Sequence, residues 1–183
     1  MFGGYILHGG NMEPILHAAP WEIFMIGGAA MGSLLTANSM PVVKGNHDEY
    51  CSVDAALEGF NPHAAEAVNW TRSQLAEEDI LWLREMRYIR LVANFTIVHA
   101  TLDGPKRWGY VFDKLAAAAS FTYQNTGVCF FGHTHVPVAF VRDATVRGGT
   151  YSKFKIEPGK KYFVNVGSVG QPRDGNPKCA YVI

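Results

Sequence analysis

Only three of the 183 residues are cysteine (Cys51, Cys129 and Cys179), and no two of them form a CxxC pair. An odd number so widely spaced excludes a disulfide framework and suits a reducing compartment, so the cytoplasm is the expected location. Charge is scarce as well: charged residues make up 17% of the chain, with 16 Lys and Arg against 16 Asp and Glu. A balance of zero leaves no electrostatic footprint for a nucleic acid duplex or an acidic membrane surface, and neither is expected as a partner. Long apolar runs are missing too. The most apolar stretch, residues 23–35, is short and interrupted by Gly27, Gly28 and Gly32, which argues against a bilayer span. No basic region precedes it, because the first Lys or Arg is Lys44, so a secretory leader is not expected. Yet 48% of residues are apolar, far too many for a disordered chain. One domain over residues 1–183 is the expected organisation.

The charges are unevenly placed. Residues 1–43 carry two, Glu13 and Glu22, and no Asp precedes Asp48. Glycine pairs break this head into apolar pieces, of which residues 22–26 and 40–43 read as short buried strands. Beyond it the signals sharpen. Asn61-Pro62 predicts an N-cap followed by a helix, and a second helix is expected over 77–86. Strands are predicted at 88–91 and 95–99, then a helix over the Ala-rich 113–123. The last third predicts strands at 128–131, 136–141, 161–166 and 180–183. Strands and helices in this order argue for a layered α/β domain. Trp70, Leu75, Trp82 and Leu83, at helical spacings, are expected to pack against a sheet. Cys129, inside an apolar strand, is expected to be a buried, inert thiol.

The histidines carry the chemistry. His47 lies in Lys44-Gly45-Asn46-His47-Asp48 after an apolar segment, and His99 ends Phe95-Thr96-Ile97-Val98-His99. His133 and His135 sit in Gly132-His133-Thr134-His135, and His8 in Ile6-Leu7-His8-Gly9. In an extended segment, residues i and i+2 face the same way, so His133 and His135 can address one site. Polar groups beyond the ends of buried strands are where α/β enzymes tend to place their chemistry. Imidazoles together with an amide oxygen suit Mn, Fe, Zn or Ni. Any one of these motifs is commoner as an ordinary turn or a satisfied core histidine; three of them, each at the end of an apolar run, are not explained by packing alone.

The ordered set Gly45-Asn46-His47-Asp48, His99 and Gly132-His133-Thr134-His135 resembles the calcineurin-like metallophosphoesterase superfamily. Within it, the set is similar to the small bacterial phosphodiesterases. The glycine-rich segment from Val166 through Gly167-Ser168-Val169-Gly170-Gln171-Pro172-Arg173-Asp174-Gly175 extends the likeness, which covers residue 40 to the end. The resemblance implies a two-layer β-sandwich flanked by helices, here with a shortened N-terminal βαβ part, and a site for divalent transition metal at the strand ends. It implies that Asn46, His99 and His133 bind one ion and His135 the other; with the carboxylates of the head replaced, His135 and His8 are expected to support the first ion or hold a weak second one. His47, oriented by Asp48, would donate a proton to the leaving-group oxygen or stabilise the phosphoryl group, and Arg173 would contact a substrate phosphate. The implied reaction is hydrolysis of a phosphomonoester or phosphodiester, in a small molecule or nucleotide, by a metal-bound hydroxide.

The head departs from that family's pattern. Its opening Asp-x-His is matched by Ile6-Leu7-His8, and Gly28 stands where a metal-bridging Asp is expected. Two divalent ions about 4 Å apart repel by roughly 4 kcal/mol per unit-charge pair at an effective dielectric near 20. Without an anionic bridge, the expectation is one ion or a weakened pair. The alternative is a catalytically inactive binding module on the same fold. Trp108 and Tyr110, in the segment after His99, are candidates for stacking on a base, though aromatic residues in this number are mostly core or rim.

Overall fold

The structure is a computed structural model and describes residues 40–183. The segment 22–26, Ile6, His8, Glu13 and Gly28 therefore lie outside the described residues. From Pro41 on, the order is α1 (Asn46–Ser52), α2 (Pro62–Gln74), α3 (Glu77–Glu85), β1 (Ile89–Val92), β2 (Phe95–Val98), a 3-10 turn (Pro105–Arg107), α4 (Lys114–Tyr123), β3 (Val128–Phe131), β4 (Val138–Arg142), β5 (Val146–Gly149) and β6 (Lys161–Asn165). This is the expected mixed α/β architecture. Of the expected two-layer sandwich, one layer is seen among the described residues: a six-stranded sheet in the order β1-β2-β3-β6-β4-β5. No described helix is long and apolar enough to cross a membrane.

Local chemistry explains the helix starts. Asn61 Oδ1 accepts the His63 N–H at 3.0 Å while Pro62 opens α2. Asp113 Oδ1 accepts from Leu115 and Ala116, both at 2.9 Å, and so starts α4. Arg72 then ties α2 to α1 and the loop after it, donating to the carbonyls of Tyr50 (2.8 Å), Val53 (2.9 Å) and Ala55 (2.9 Å). Arg72→Ala leaves these three acceptors without their cationic donor. It is expected to cost about 2 kcal/mol, read as a lower denaturant midpoint with an unchanged slope.

The sheet has a parallel centre. β2 pairs parallel with β3, and β3 with β6, while β1, β4 and β5 pair antiparallel at the flanks. Alternate residues of β2 and β3 are buried, so Val98, Cys129 and Phe131 join Phe140, Phe163 and the α4 residues Ala117 and Phe121 in one core. Phe163 stacks on Phe131 with ring centres 4.1 Å apart and meets Phe121 edge-on at 6.0 Å. Cys129 lies wholly inside this core, and burial pushes its thiol up to about 12, which keeps it unreactive.

Several sequence expectations are corrected. Residues 40–43 are irregular and largely exposed, and 180–183 form no strand; Ala180 makes one backbone bond, to Ser168, beyond which Tyr181 is 76% exposed. Strand propensity needs a paired strand, and neither segment is paired with one among the described residues. Conversely β5 arises from Val146-Arg147-Gly148-Gly149, where glycine hides the strand signal. There the Phe140 ring lies over Gly148 so closely that a Cβ would stand 2.5 Å from it. The aromatic side chain covers the bare backbone of its cross-strand partner. Trp70 and Trp82 do not pack against the sheet: they are 65% and 58% exposed. Leu75 and Leu83 instead join Val68 and Cys51 in a small core between the helices.

Candidate metal centre

Because β2, β3 and β6 run parallel, their C-terminal ends share one edge of the sheet. His99 follows β2, Gly132-His133-Thr134-His135 follows β3, and Asn165 ends β6. The ladder extends past β3, since the Gly132 N–H donates to the His99 carbonyl at 2.9 Å. Parallel pairing thus delivers three chemistry-bearing segments to one place, as open α/β sheets do.

Asn46 and His47 reach this edge from the first turn of α1. The Gly45 N–H donates to Asp48 Oδ2 at 2.7 Å, closing the turn. A Cβ on Gly45 would stand 3.0 Å from both Cε1 and Nδ1 of His99, so the bare glycine backbone is what fits against the ring. Asp48, expected to orient His47, is therefore seen holding the turn that carries both Asn46 and His47. Beneath it, buried Lys44 pairs with Glu49 at 3.0 Å, and Glu49 also accepts the Tyr88 hydroxyl at 2.9 Å. Burial alone would raise the Glu49 carboxyl, but the bonds from Lys44 and Tyr88 hold it below its ordinary value.

Three donor atoms converge at this edge. His99 Nε2 lies 3.0 Å from Asn46 Oδ1 and 3.1 Å from His133 Nδ1. Burial pushes the His99 pKa down to about 4, and the imidazoles of His133, His135 and His47 add to the effect. The same burial lowers His133, against a weaker opposing pull from the Trp108 backbone. Both rings are therefore neutral at pH 7, the form that offers a lone pair. His133 Nε2 is buried without a hydrogen-bond partner. One face of the His133 ring is covered by Tyr110, stacked at 4.3 Å, and His99 meets the Trp108 ring edge-on at 5.9 Å.

His133 and His135 are not the extended i, i+2 pair expected from sequence. Both have left-handed backbone, with φ of 67° and 59°, a conformation costing roughly 1–2 kcal/mol per non-glycine residue. His133 turns inward, and His135 turns toward the C-terminal loop. The His135 Nδ1 donates to the Gln171 carbonyl at 2.7 Å. A carbonyl can only accept, so this bond puts a proton on Nδ1. Arg173 follows in the same loop; its N–H donates to the His135 carbonyl at 3.1 Å, and its charge is near enough to disfavour protonation of His133. His47 is exposed, with its ring edge toward Phe60 at 6.4 Å.

The geometry can be tested against a cation. With bonds of about 2.1 Å to nitrogen, two ligands at right angles lie about 3.0 Å apart, which is the spacing around His99 Nε2. Two neutral imidazoles and an amide oxygen suit a borderline divalent ion. Asn46, His99 and His133 thus fit part of the shell of one ion. Among the described residues no three His, Cys, Asp or Glu side chains group to hold a metal, so no carboxylate is seen bridging a pair of ions there.

Asn165 has a larger part in this site than its sequence setting suggests. It is 2% exposed, and its Nδ2 donates to the Gly132 carbonyl (2.7 Å) and to Thr134 Oγ1 (2.8 Å). In sequence it reads as one more turn-favouring residue at a strand end; only its partners, more than thirty residues earlier, distinguish it.

Comparison with known proteins bears on the fold. The chain is 31% identical over 150 residues to an uncharacterized protein of Methanocaldococcus jannaschii, a match covering 80% of this chain and 60% of that one. It superimposes on the crystal structure of a metallophosphoesterase from Sphaerobacter thermophilus with a TM-score of 0.61 and 34% identity, covering 75% of this chain and 58% of the other. The chain therefore spans about three fifths of the length of these relatives. A family model, the N-terminal part of motility protein A, matches residues 1–56, mostly outside the described residues. Over its described part, the chain has a mixed α/β fold similar to that of a metallophosphoesterase.

Proposed function

We propose that this chain hydrolyses phosphomonoesters or phosphodiesters of small molecules or nucleotides in a metal-dependent reaction, with Asn46, His99 and His133 holding a divalent cation. The observation that carries the reading is the convergence of Asn46 Oδ1 and His133 Nδ1 on His99 Nε2 at 3.0 and 3.1 Å. A cation bound there would supply positive charge to polarise a phosphoryl oxygen and to lower the pKa of water. The remaining steps belong to the side chains. Burial keeps His99 and His133 unprotonated, so they do not compete as proton donors. His47, exposed at the start of α1, would hold the proton that the leaving oxygen takes. His135, with Nδ1 fixed on the Gln171 carbonyl, would support the ion or hold a second one through its other nitrogen. Arg173 offers a planar guanidinium for a non-reacting phosphate oxygen, with Gln171 Oε1 steadying it at 3.1 Å.

Hydrolysis of bis-p-nitrophenyl phosphate with added Mn²⁺ tests this. His47→Ala is expected to lower kcat by about 100-fold while Mn²⁺ affinity stays unchanged; equal rates for both proteins would remove His47 from the reaction. A second reading, an inactive binding module on the same fold, is favoured by one observation: the donors seen together are all neutral. It predicts cation or phosphate binding without turnover in the wild-type chain.

A further inference from the structure

The geometry points to Asn165 as a positioning residue that sets both histidines of the Gly132-His133-Thr134-His135 turn. Two residues in three with left-handed backbone, neither of them glycine, need an outside restraint. Asn165 supplies one. The paired ladder of β3 and β6 ends at Phe131 opposite Asn165, and there a side chain takes over from the backbone. Each Nδ2 proton has its own acceptor, the Gly132 carbonyl at 2.7 Å before His133 and Thr134 Oγ1 at 2.8 Å between the two histidines. Oδ1 accepts the Gly167 N–H at 2.9 Å, which fixes the start of the loop whose Gln171 carbonyl holds His135. Thr134 is fully buried, and its own N–H donates back to the Gly132 carbonyl at 2.8 Å, tightening the turn around the clamp.

The residue type follows from the pattern. The position needs two donors and one acceptor on a short planar group; Asp lacks the donors and Leu lacks all three. Groups that orient metal ligands through hydrogen bonds typically change affinity 10–100-fold when removed. Asn165 here acts on His133 through the backbone of its turn, and on His135 from both sides. The inference deepens the cation-site reading and rests on it only for its metal readout.

The test compares wild type, Asn165→Ala, Thr134→Val and Phe163→Leu. The last is a control that loosens the core two residues earlier on the same strand without touching the turn. Two quantities are read: Co²⁺ affinity by visible absorption, and the contact between the His99 and His133 rings by NMR of the metal-free protein. Asn165→Ala is expected to weaken Co²⁺ binding at least about tenfold and to lose the ring contact. Thr134→Val is expected to lose part of both, and Phe163→Leu to keep both despite a lower Tm. A folded Asn165→Ala with wild-type affinity and an unchanged ring contact would overturn the inference. If Asn165→Ala does not fold, Thr134→Val decides: wild-type values in both measurements overturn it. If wild type binds no Co²⁺, the cation reading falls, and the metal-free ring contact alone still settles the positioning role.

Discussion

His133→Ala is expected to reduce Mn²⁺-dependent hydrolysis of bis-p-nitrophenyl phosphate by a factor on the order of a thousand. The charge stabilisation a catalytic cation provides is several kcal/mol, and each 1.4 kcal/mol or so is tenfold in rate. His133 contributes one of the donor atoms that meet at His99 Nε2, so its loss removes both a ligand and the packing that holds His99 in place. Cation affinity should fall in parallel. The same substitution strips Tyr110 of one stacking partner, but Tyr110 keeps Phe112 and is already 52% exposed, so the global fold should survive. Circular dichroism and the thermal midpoint separate the two effects: a large rate loss with a small change in Tm is the expected pair. A variant as active as wild type would detach the histidine turn from the chemistry.

The largest expected effect on stability lies elsewhere. Phe163→Ala should destabilise the domain by about 3–5 kcal/mol, the range for deleting a buried aromatic side chain. Phe163 is fully buried at the centre of the sheet, stacked on Phe131 and against Phe121. It also pairs with Cys129 on one side and Phe140 on the other. Three strands and α4 close around it, so the cavity has little room to collapse. For a domain of this size each kcal/mol moves Tm by about 2–4 °C, which puts the expected fall near 10 °C by differential scanning calorimetry. A fall of only a degree or two would mean that this face of the sheet repacks freely.

The sequence shows the residues of the candidate site better than the backbone that carries them. The motif spacing brings out Asn46, His99 and His133, because short glycine-marked segments after apolar strands are visible without coordinates. The conformation of His133 and His135 is not visible. It is imposed by hydrogen bonds from Asn165, and nothing local to Gly132-His133-Thr134-His135 announces a left-handed backbone. α1 escapes notice because it has only seven residues and starts at glycine, with Asp48 closing the turn from the third position. The start of α2 and both ends of α4, which carry the usual Asn and Asp caps, are legible to within a residue. Strand β5 is masked by its glycines, whereas 40–43 and 180–183 look like strands but are paired with none among the described residues. Strand propensity reports a willing segment; pairing is decided by where the rest of the chain runs.

Crystals soaked in Mn²⁺ and measured for anomalous scattering test the central claim most directly. The expected result is a peak bonded to Asn46 Oδ1, His99 Nε2 and His133 Nδ1 at the C-terminal edge of β2 and β3. A well-ordered crystal showing no peak at that edge, or one held only by other side chains, would contradict it.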